Sequence, residues 1–211
     1  MPTIAEIIDQ ELPFNQMAQV SKAIALAYRA SGQVMRAHPV LQTNPKAAAG
    51  YIKRACVDHF LSNIPRDNPS ANISASLESN RNGSSQHIVL RTERLVMTAH
   101  HVQSTRKKMI KSSLYNRALS SPNYDLFGDT SGEANNEFTC GQLLHGAGNT
   151  LEFMSLVIPD SNCRIALYTR HIPLPSIEEV REEKIDDEIQ NIFERLAQEE
   201  TSMNGRNKNE L

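Results

Sequence analysis

Residues 138–169 read FTCGQLLHGAGNTLEFMSLVIPDSNCRIALYT, and this stretch decides the predicted fold. Apolar runs at 138–144, 151–158 and 165–169 carry the composition of β-strands. The segments GAGN and PDSN between them are rich in residues that form turns. Short turns between consecutive strands predict an antiparallel meander here.

A second group of strand signals lies in the middle of the chain. Residues 73–78 and 87–91 flank Asn82-Gly83, a dipeptide typical of tight hairpin turns. Residues 95–102 form another apolar run. These three segments predict a first meander, and the chain between the two meanders is irregular to weakly helical.

The N-terminal third carries helical signals. Thr3 predicts the start of a short helix that Pro13 ends. Residues 15–37 carry apolar side chains at three- and four-residue spacing, which predicts a second helix. Asn44-Pro45 predicts the start of a third helix, with the amide as cap and the proline in the first turn. We expect this helix to stop near Pro65.

An acidic amphipathic helix is predicted over residues 176–200. Ser176 and Glu179 have the spacing of a capping box. One apolar stripe follows, made of Ile185, Ile189, Ile192, Phe193 and Leu196. We expect this helix to pack on the rest of the chain or on a partner, and residues 201–211 to form a disordered tail.

These elements predict one α+β domain over residues 1–175, with N-terminal helices, an antiparallel sheet from two meanders and the C-terminal amphipathic helix beyond it. Helices segregated from strands along the chain favour this class over an alternating, parallel one. A chain of 211 residues is long enough to bury a sizeable core.

Composition bounds the class of protein. Hydrophobic residues make up 39% and charged residues 22%, which is typical of a globular chain, and the low aromatic content of 5% predicts an aliphatic core. Three cysteines without CxxC spacing favour a reducing compartment. The N-terminus lacks a signal-peptide pattern, and no run approaches the ~18 apolar residues of a membrane span. We therefore expect a cytoplasmic protein that does not engage a membrane.

The formal net charge of −2 conceals an asymmetry along the chain. Residues 91–117 hold seven basic residues against one acid, whereas residues 178–200 hold ten acids against three bases. Clustered cations beside hydroxyl and amide groups suit phosphate backbones. The predicted nucleic-acid-binding residues are Arg91, Arg94, Arg106, Lys107, Lys108 and Lys111. The alternative is a solvated face that meets the acidic C-terminal helix.

His100, His101 and Glu152 are the candidate catalytic residues. A histidine titrates near physiological pH and suits a general base. Because neighbouring strand residues point to opposite faces, only one of the two histidines can face a given surface. Glu152 lies within the apolar run of residues 151–158 and is the carboxylate expected to be half-buried. The alternatives are a structural histidine pair and a salt bridge between Glu152 and Arg164.

No metal site is predicted. Cys140, His145 and Cys163 lack the paired short spacing of zinc ligands, and a Cys140 nucleophile with His145 as its base has no supporting motif. Gly146-Ala147-Gly148 lacks the frame of a phosphate-binding loop. We expect no cofactor, apart from a divalent metal if the protein is a nuclease.

The leading functional hypothesis is a nucleic-acid-interacting protein that grips DNA or RNA phosphates with its basic strand-and-helix segment. A nuclease-like activity stays open, and so does whether the protein is an enzyme at all. The alternative is a non-catalytic interaction module or regulatory subunit. It would act through the acidic C-terminal helix on a protein partner or a second copy.

Overall fold

Helices and strands follow one another largely in separate blocks. The computed structural model describes residues 2–38, 41, 43–79, 86–104, 106, 109–110, 113–123, 138–146, 150–182 and 185–194. The helices are α1 (Ile4–Glu11), α2 (Phe14–Ala37), α3 (Pro45–Asp67), α4 (Leu114–Ser120), α5 (Ile177–Glu182) and α6 (186–194). The strands are β1 (Ser74–Ser79), β2 (Gln86–Arg91), β3 (Leu95–Val102), β4 (Thr139–Gly146), β5 (Phe153–Pro159) and β6 (Ala166–His171). The α+β class is confirmed.

The N-terminal helices begin close to where local sequence predicts them. The Thr3 hydroxyl accepts the Glu6 backbone N–H at 3.2 Å, and the Glu6 carboxylate accepts the Thr3 N–H at 2.7 Å, which completes a capping box. Helix α3 begins at Pro45, but the Asn44 side chain makes no capping bond. The helix also continues two residues past Pro65, because a proline near a helix end removes a single N–H bond.

The sheet is mixed rather than wholly antiparallel. Its strand order is β1-β2-β3-β4-β5-β6, and every neighbouring pair is antiparallel except β3 and β4, which run parallel. The prediction of an antiparallel sheet is therefore wrong at this pair. Residues 103–138 return the chain to the end at which β3 began, and a connection of that length permits a parallel crossover.

Both faces of the sheet are covered. The face toward α1, α2 and α3 carries the larger apolar core, with Leu95, Met97 and Leu143 fully buried. The opposite face lies under the crossover, where Leu119 of α4 packs on Val96. Alternate residues of β3 and β4 thus face two different environments.

The C-terminal segment is broken into two helices. The prediction of one helix over 176–200 is wrong at residue 185, which is not helical and lies between α5 and α6. Ile185 and Ile192 are each 1% exposed and belong to the same core as α2 and α3. Among the described helices, none is both long and apolar enough to cross a membrane.

Candidate functional site

An open cleft of about 900 Å³ lies where the parallel strands β3 and β4 both end. Helix α3 forms one wall, and the ends of β2, β3 and β4 form the floor. Small side chains make the space, since Ala49 and Gly50 line one side and Ala99 the other. A Cβ atom built on Gly50 would meet no atom within 4 Å.

Two histidines are paired on the floor of this cleft. His101 of β3 and His145 of β4 are register partners on adjacent strands, so their side chains share the face toward the helices. Their ring centroids lie 6.0 Å apart. Tyr28 of α2 lies beneath, with its hydroxyl 3.0 Å from His145 Nδ1. His145 is 2% exposed, whereas His101 is open to solvent.

Lys53 of α3 reaches the same place from the helical side. Its ammonium lies 4.6 Å from the centre of the Tyr28 ring, a cation–π contact. The residue is only 8% exposed, and burial lowers the pKa of its ammonium. Arg54 follows on the same helix and pairs with Asp58 at 3.7 Å.

Burial and positive neighbours keep the two histidines neutral. Burial, followed by the charges of His101, His100 and Lys53, lowers the pKa of His145 to about 3. Partial burial and the charge of Lys53 lower the pKa of His101. Burial raises the pKa of Tyr28, so its hydroxyl keeps its proton. Tyr28 can then donate to Nδ1 of neutral His145, which leaves Nε2 as the ring nitrogen available to the cleft.

His100 and His87 line the cleft from the other face of the sheet. His100 Nε2 lies 2.8 Å from the Thr98 hydroxyl. His87 stacks on Tyr115 of α4, with ring centroids 4.8 Å apart. The two adjacent histidines of β3 therefore point to opposite faces and still reach one cleft, because the cleft wraps around the end of the strand.

The predicted nucleic-acid-binding residues that the structure describes are divided between the two ends of β3. Arg91 is paired across the first hairpin with Glu78 at 2.5 Å. Arg94 directly precedes β3, and its backbone N–H donates to the Glu11 carboxylate at 3.1 Å. Eight residues of strand, roughly 26 Å, separate it from the cleft end. The structure thus does not bring Arg91 and Arg94 together with Arg106.

Arg106 lies on the cleft side of this division. It is exposed, and Gln103 and Ile110, which precede and follow it, both line the cleft. The Ile110 N–H donates to the buried Gln142 side chain at 3.0 Å, which ties this segment to β4. The remaining predicted cations, Lys107, Lys108 and Lys111, lie outside the described residues.

Glu152 is not part of the cleft. It is exposed rather than half-buried, and the hydrogen bond shown for its carboxylate comes from Thr150 at 3.5 Å. Asp160, which follows β5, is fully buried and accepts the backbone N–H groups of Arg164 and Ile165, so it shapes a turn. Neither carboxylate is among the residues that line the cleft.

The sulfur ligands considered for a metal are also separated. Cys140 lies in the small core on the crossover face, whereas His145 faces the helices. The Cys163 thiol donates to the Ser120 hydroxyl at 3.3 Å. Burial raises the pKa of the Cys140 thiol to about 12, which disfavours the thiolate. Within the described ranges, no group of three or more His, Cys, Asp and Glu side chains is placed to hold a metal ion.

Sequence reasoning missed Tyr28 and Lys53, and it considered His145 only beside the cysteines. One signal was available for Lys53. It occupies a position on the stripe Ala49, Lys53, Val57, Phe60, where the other members are apolar and the spacing is helical. A lysine within such a stripe indicates a buried cation.

Comparison of the chain with protein-family models, with curated proteins and with solved structures finds no match. The geometry of the cleft is therefore the basis for any functional inference.

Proposed function

We propose that this protein binds the phosphodiester backbone of a nucleic-acid strand in the cleft between α3 and the ends of β3 and β4. The observation that carries the proposal is a buried ammonium, Lys53, that lines an open cleft beside His101 and His145. A phosphate oxygen placed there would stabilise the protonated form of Lys53, because an opposite charge nearby favours the charged ammonium.

The charges of the lining favour an anionic ligand. Lys53 and Arg54 supply the cations, and Asp58 is the one carboxylate among the described residues that line the cleft. Asp58 is itself paired with Arg54. Histidine rings add hydrogen-bond donors for phosphate oxygens. The volume of about 900 Å³ is in the range of small-ligand sites, so it accommodates a nucleotide unit of a longer strand.

The segment after β3 supports a strand rather than a lone nucleotide. Arg106 lies between Gln103 and Ile110 in the chain, both of which line the cleft. A strand that leaves the cleft on this side would meet an exposed guanidinium, which suits phosphate recognition. The triple substitution of Arg106, Lys107 and Lys108 by Ala tests the contribution of this segment to binding.

The first test is binding of short fluorescent single strands of RNA and DNA, measured by anisotropy at about 50 and 200 mM salt. Lys53→Met keeps the aliphatic stem and removes the charge, so we expect affinity to fall about tenfold and the salt dependence to become shallower by about one phosphate contact. Arg164→Gln is the matched control, because this exposed cation lies in the turn after β5, at the opposite end of the sheet.

A steric variant separates the cleft from general surface charge. Gly50→Leu keeps every cation and adds a bulky side chain at a position where a Cβ atom would have no other atom within 4 Å. We expect weaker binding with an unchanged or higher melting temperature, since Gly is a poor helix former. Wild-type affinity in both Gly50→Leu and Lys53→Met, or equal weakening by Arg164→Gln, would contradict the proposal.

The alternative, an interaction module acting through the C-terminal helix, draws less support from the described contacts. Ile185 and Ile192 of the apolar stripe are already buried against the protein's own helices. Glu188, on the polar side, accepts a hydrogen bond from the Arg66 side chain of α3 at 2.9 Å. A partner would have to displace these contacts to use the stripe.

A further inference from the structure

We infer that the cleft cleaves RNA by transfer to the neighbouring ribose 2′-hydroxyl, with His101 as the general base and Lys53 as the group that protonates the leaving oxygen. This inference rests on the proposed function, because the strand must bind in the cleft before it can react. The substrate class is RNA, and the reaction is a transesterification followed by release of the product.

The residues that line the cleft can move protons but supply no hydroxyl or thiol nucleophile. The described lining contains no Ser, Thr, Tyr or Cys. Its carboxylate, Asp58, is paired with Arg54. RNA carries its own nucleophile next to each phosphate, so a site of cations and histidines suffices for its cleavage, provided that the groups are positioned on either side of the reacting phosphorus.

The step balances without an oxidant, a reductant or a second substrate. Neutral His101 accepts the proton of the ribose 2′-hydroxyl, and O2′ forms a bond to the adjacent phosphorus. The bond from phosphorus to O5′ breaks, and the Lys53 ammonium donates a proton to O5′. The products are a 2′,3′-cyclic phosphate and a 5′-hydroxyl end. His101 then releases its proton to solvent, and Lys53 regains one.

The surroundings assign these roles to His101 and Lys53. His101 is open to the cleft, whereas His145 is buried and engaged by Tyr28 through Nδ1. Lys53 lines the same cleft as His101 and is held over the Tyr28 ring, whose centroid lies 6.4 Å from that of the His101 ring. His145 is a positioning residue, because it fixes the ring of Tyr28 under Lys53 and packs 6.0 Å from His101.

Several charged or titratable groups lie around the cleft that His101 lines, and they will shape the pH dependence of the rate. From the elements around the cleft these are Tyr28 of α2, Lys53, Arg54 and Asp58 of α3, His87 of β2, His100 of β3 and His145 of β4. The rate should rise with pH as His101 loses its proton and fall again as Lys53 does, which gives a bell-shaped profile.

The test uses the full chain with a labelled DNA oligonucleotide that contains a single ribonucleotide, and a matched oligonucleotide in which that ribose is 2′-O-methylated. We expect cleavage at the ribonucleotide alone, a cyclic phosphate on the 5′ fragment and no cleavage of the methylated strand. His101→Gln should lower the rate about 100-fold while affinity changes by less than about threefold. Arg164→Gln should cleave at the wild-type rate.

The outcomes separate this inference from the proposed function. Tight binding without cleavage, wild-type cleavage by His101→Gln, or equal cleavage of the methylated strand would overturn the inference and leave binding intact. Cleavage of an all-DNA strand at the same rate would indicate attack by a group other than the 2′-hydroxyl and would also overturn it. Absence of binding at low salt would overturn both.

Discussion

His145 shows what burial does to a single titratable side chain. It is 2% exposed, and its ring is hydrogen-bonded to the Tyr28 hydroxyl. Among the described residues, no carboxylate forms an ion pair with it. A charged imidazolium there would lose its hydration without gaining an anion. The ring therefore stays neutral in the folded protein and takes up a proton readily only when the chain unfolds.

The difference between the pKa of His145 in the folded and in the unfolded chain predicts that acid lowers the stability of the fold. The pKa of His145 is about 3 in the folded protein and 6.5 for an ordinary histidine. Because the unfolded chain binds the proton first, stability should fall as pH decreases from 6.5 toward 3. His145→Gln removes the titration and retains an acceptor for Tyr28. Urea unfolding should show that it loses about 2 kcal/mol less than wild type between about pH 6.5 and 4.5.

Exposed His171→Gln is the comparison for this measurement, since it tests for an effect common to the loss of any histidine. Parallel pH curves for wild type and His145→Gln would contradict a buried neutral ring. A shallower curve for His171→Gln alone would place the acid sensitivity elsewhere in the molecule.

At the scale of the element, the ends of β3 and β4 are held unusually close. Gly146 is the register partner of Val102, and a Cβ built on it would lie 1.8 Å from the Val102 carbonyl oxygen. The obstructing atom belongs to the backbone and cannot turn away like a flexible side chain. Only glycine fits here, one residue after His145, so the close approach also sets the spacing of the histidine pair.

Gly146→Ala should therefore part the two strands and destabilise the fold by about 2 kcal/mol, the usual scale of overpacking. Gly146→Ala should also weaken binding of a nucleic-acid strand in the cleft by more than the loss of stability explains. Binding is measured at a temperature at which both the variant and the wild type are folded. Gly50→Ala is the matched control. A Cβ there meets nothing within 4 Å, and alanine in a helix should add about 0.5–1 kcal/mol. Equal stability of the two variants would refute the steric argument.

The elements could largely be predicted from sequence because their signals are local. The helix start at Thr3, Pro45 at a helix start and the strand over residues 95–102 are all confirmed. Strand order has no such signal. Whether β4 runs parallel or antiparallel to β3 depends on the path of the 36-residue connection from 103 to 138, and charge or turn content within it does not fix that path.

The candidate site was harder to predict because it draws one or two residues from each of several elements. Tyr28, Lys53, His101 and His145 come from α2, α3, β3 and β4 and meet only after the sheet has formed. A run of neighbouring cations such as 106–108 is visible in a sequence, whereas a site assembled from distant residues is not. The sequence could supply His101 as a candidate, but not its partners.

At the scale of the whole molecule, the C-terminal segment closes the chain back onto its N-terminal half. The Arg29 side chain of α2 donates to the Val180 carbonyl of α5 at 2.5 Å. Glu188 of α6 bonds to His59 at 2.5 Å and to Asn63 at 3.0 Å. Burial alone would raise the pKa of Glu188, but its bonds to His59 and Arg66 outweigh that and lower it, so the carboxylate stays charged.

Substitutions in the C-terminal segment distinguish a structural role for it from a partner-binding role. Ile192 is 1% exposed within the main core, whereas Ile177, one helix earlier, is 69% exposed. Ile192→Ala should cost about 3 kcal/mol in urea unfolding, and Ile177→Ala less than about 0.5 kcal/mol. If the stripe instead served a partner, Ile192→Ala would leave the stability of the isolated chain unchanged and reduce its self-association or its capture of a partner. The same Ile→Ala change at the two sites thus distinguishes a helix that stabilises this fold from a helix whose apolar stripe binds a partner.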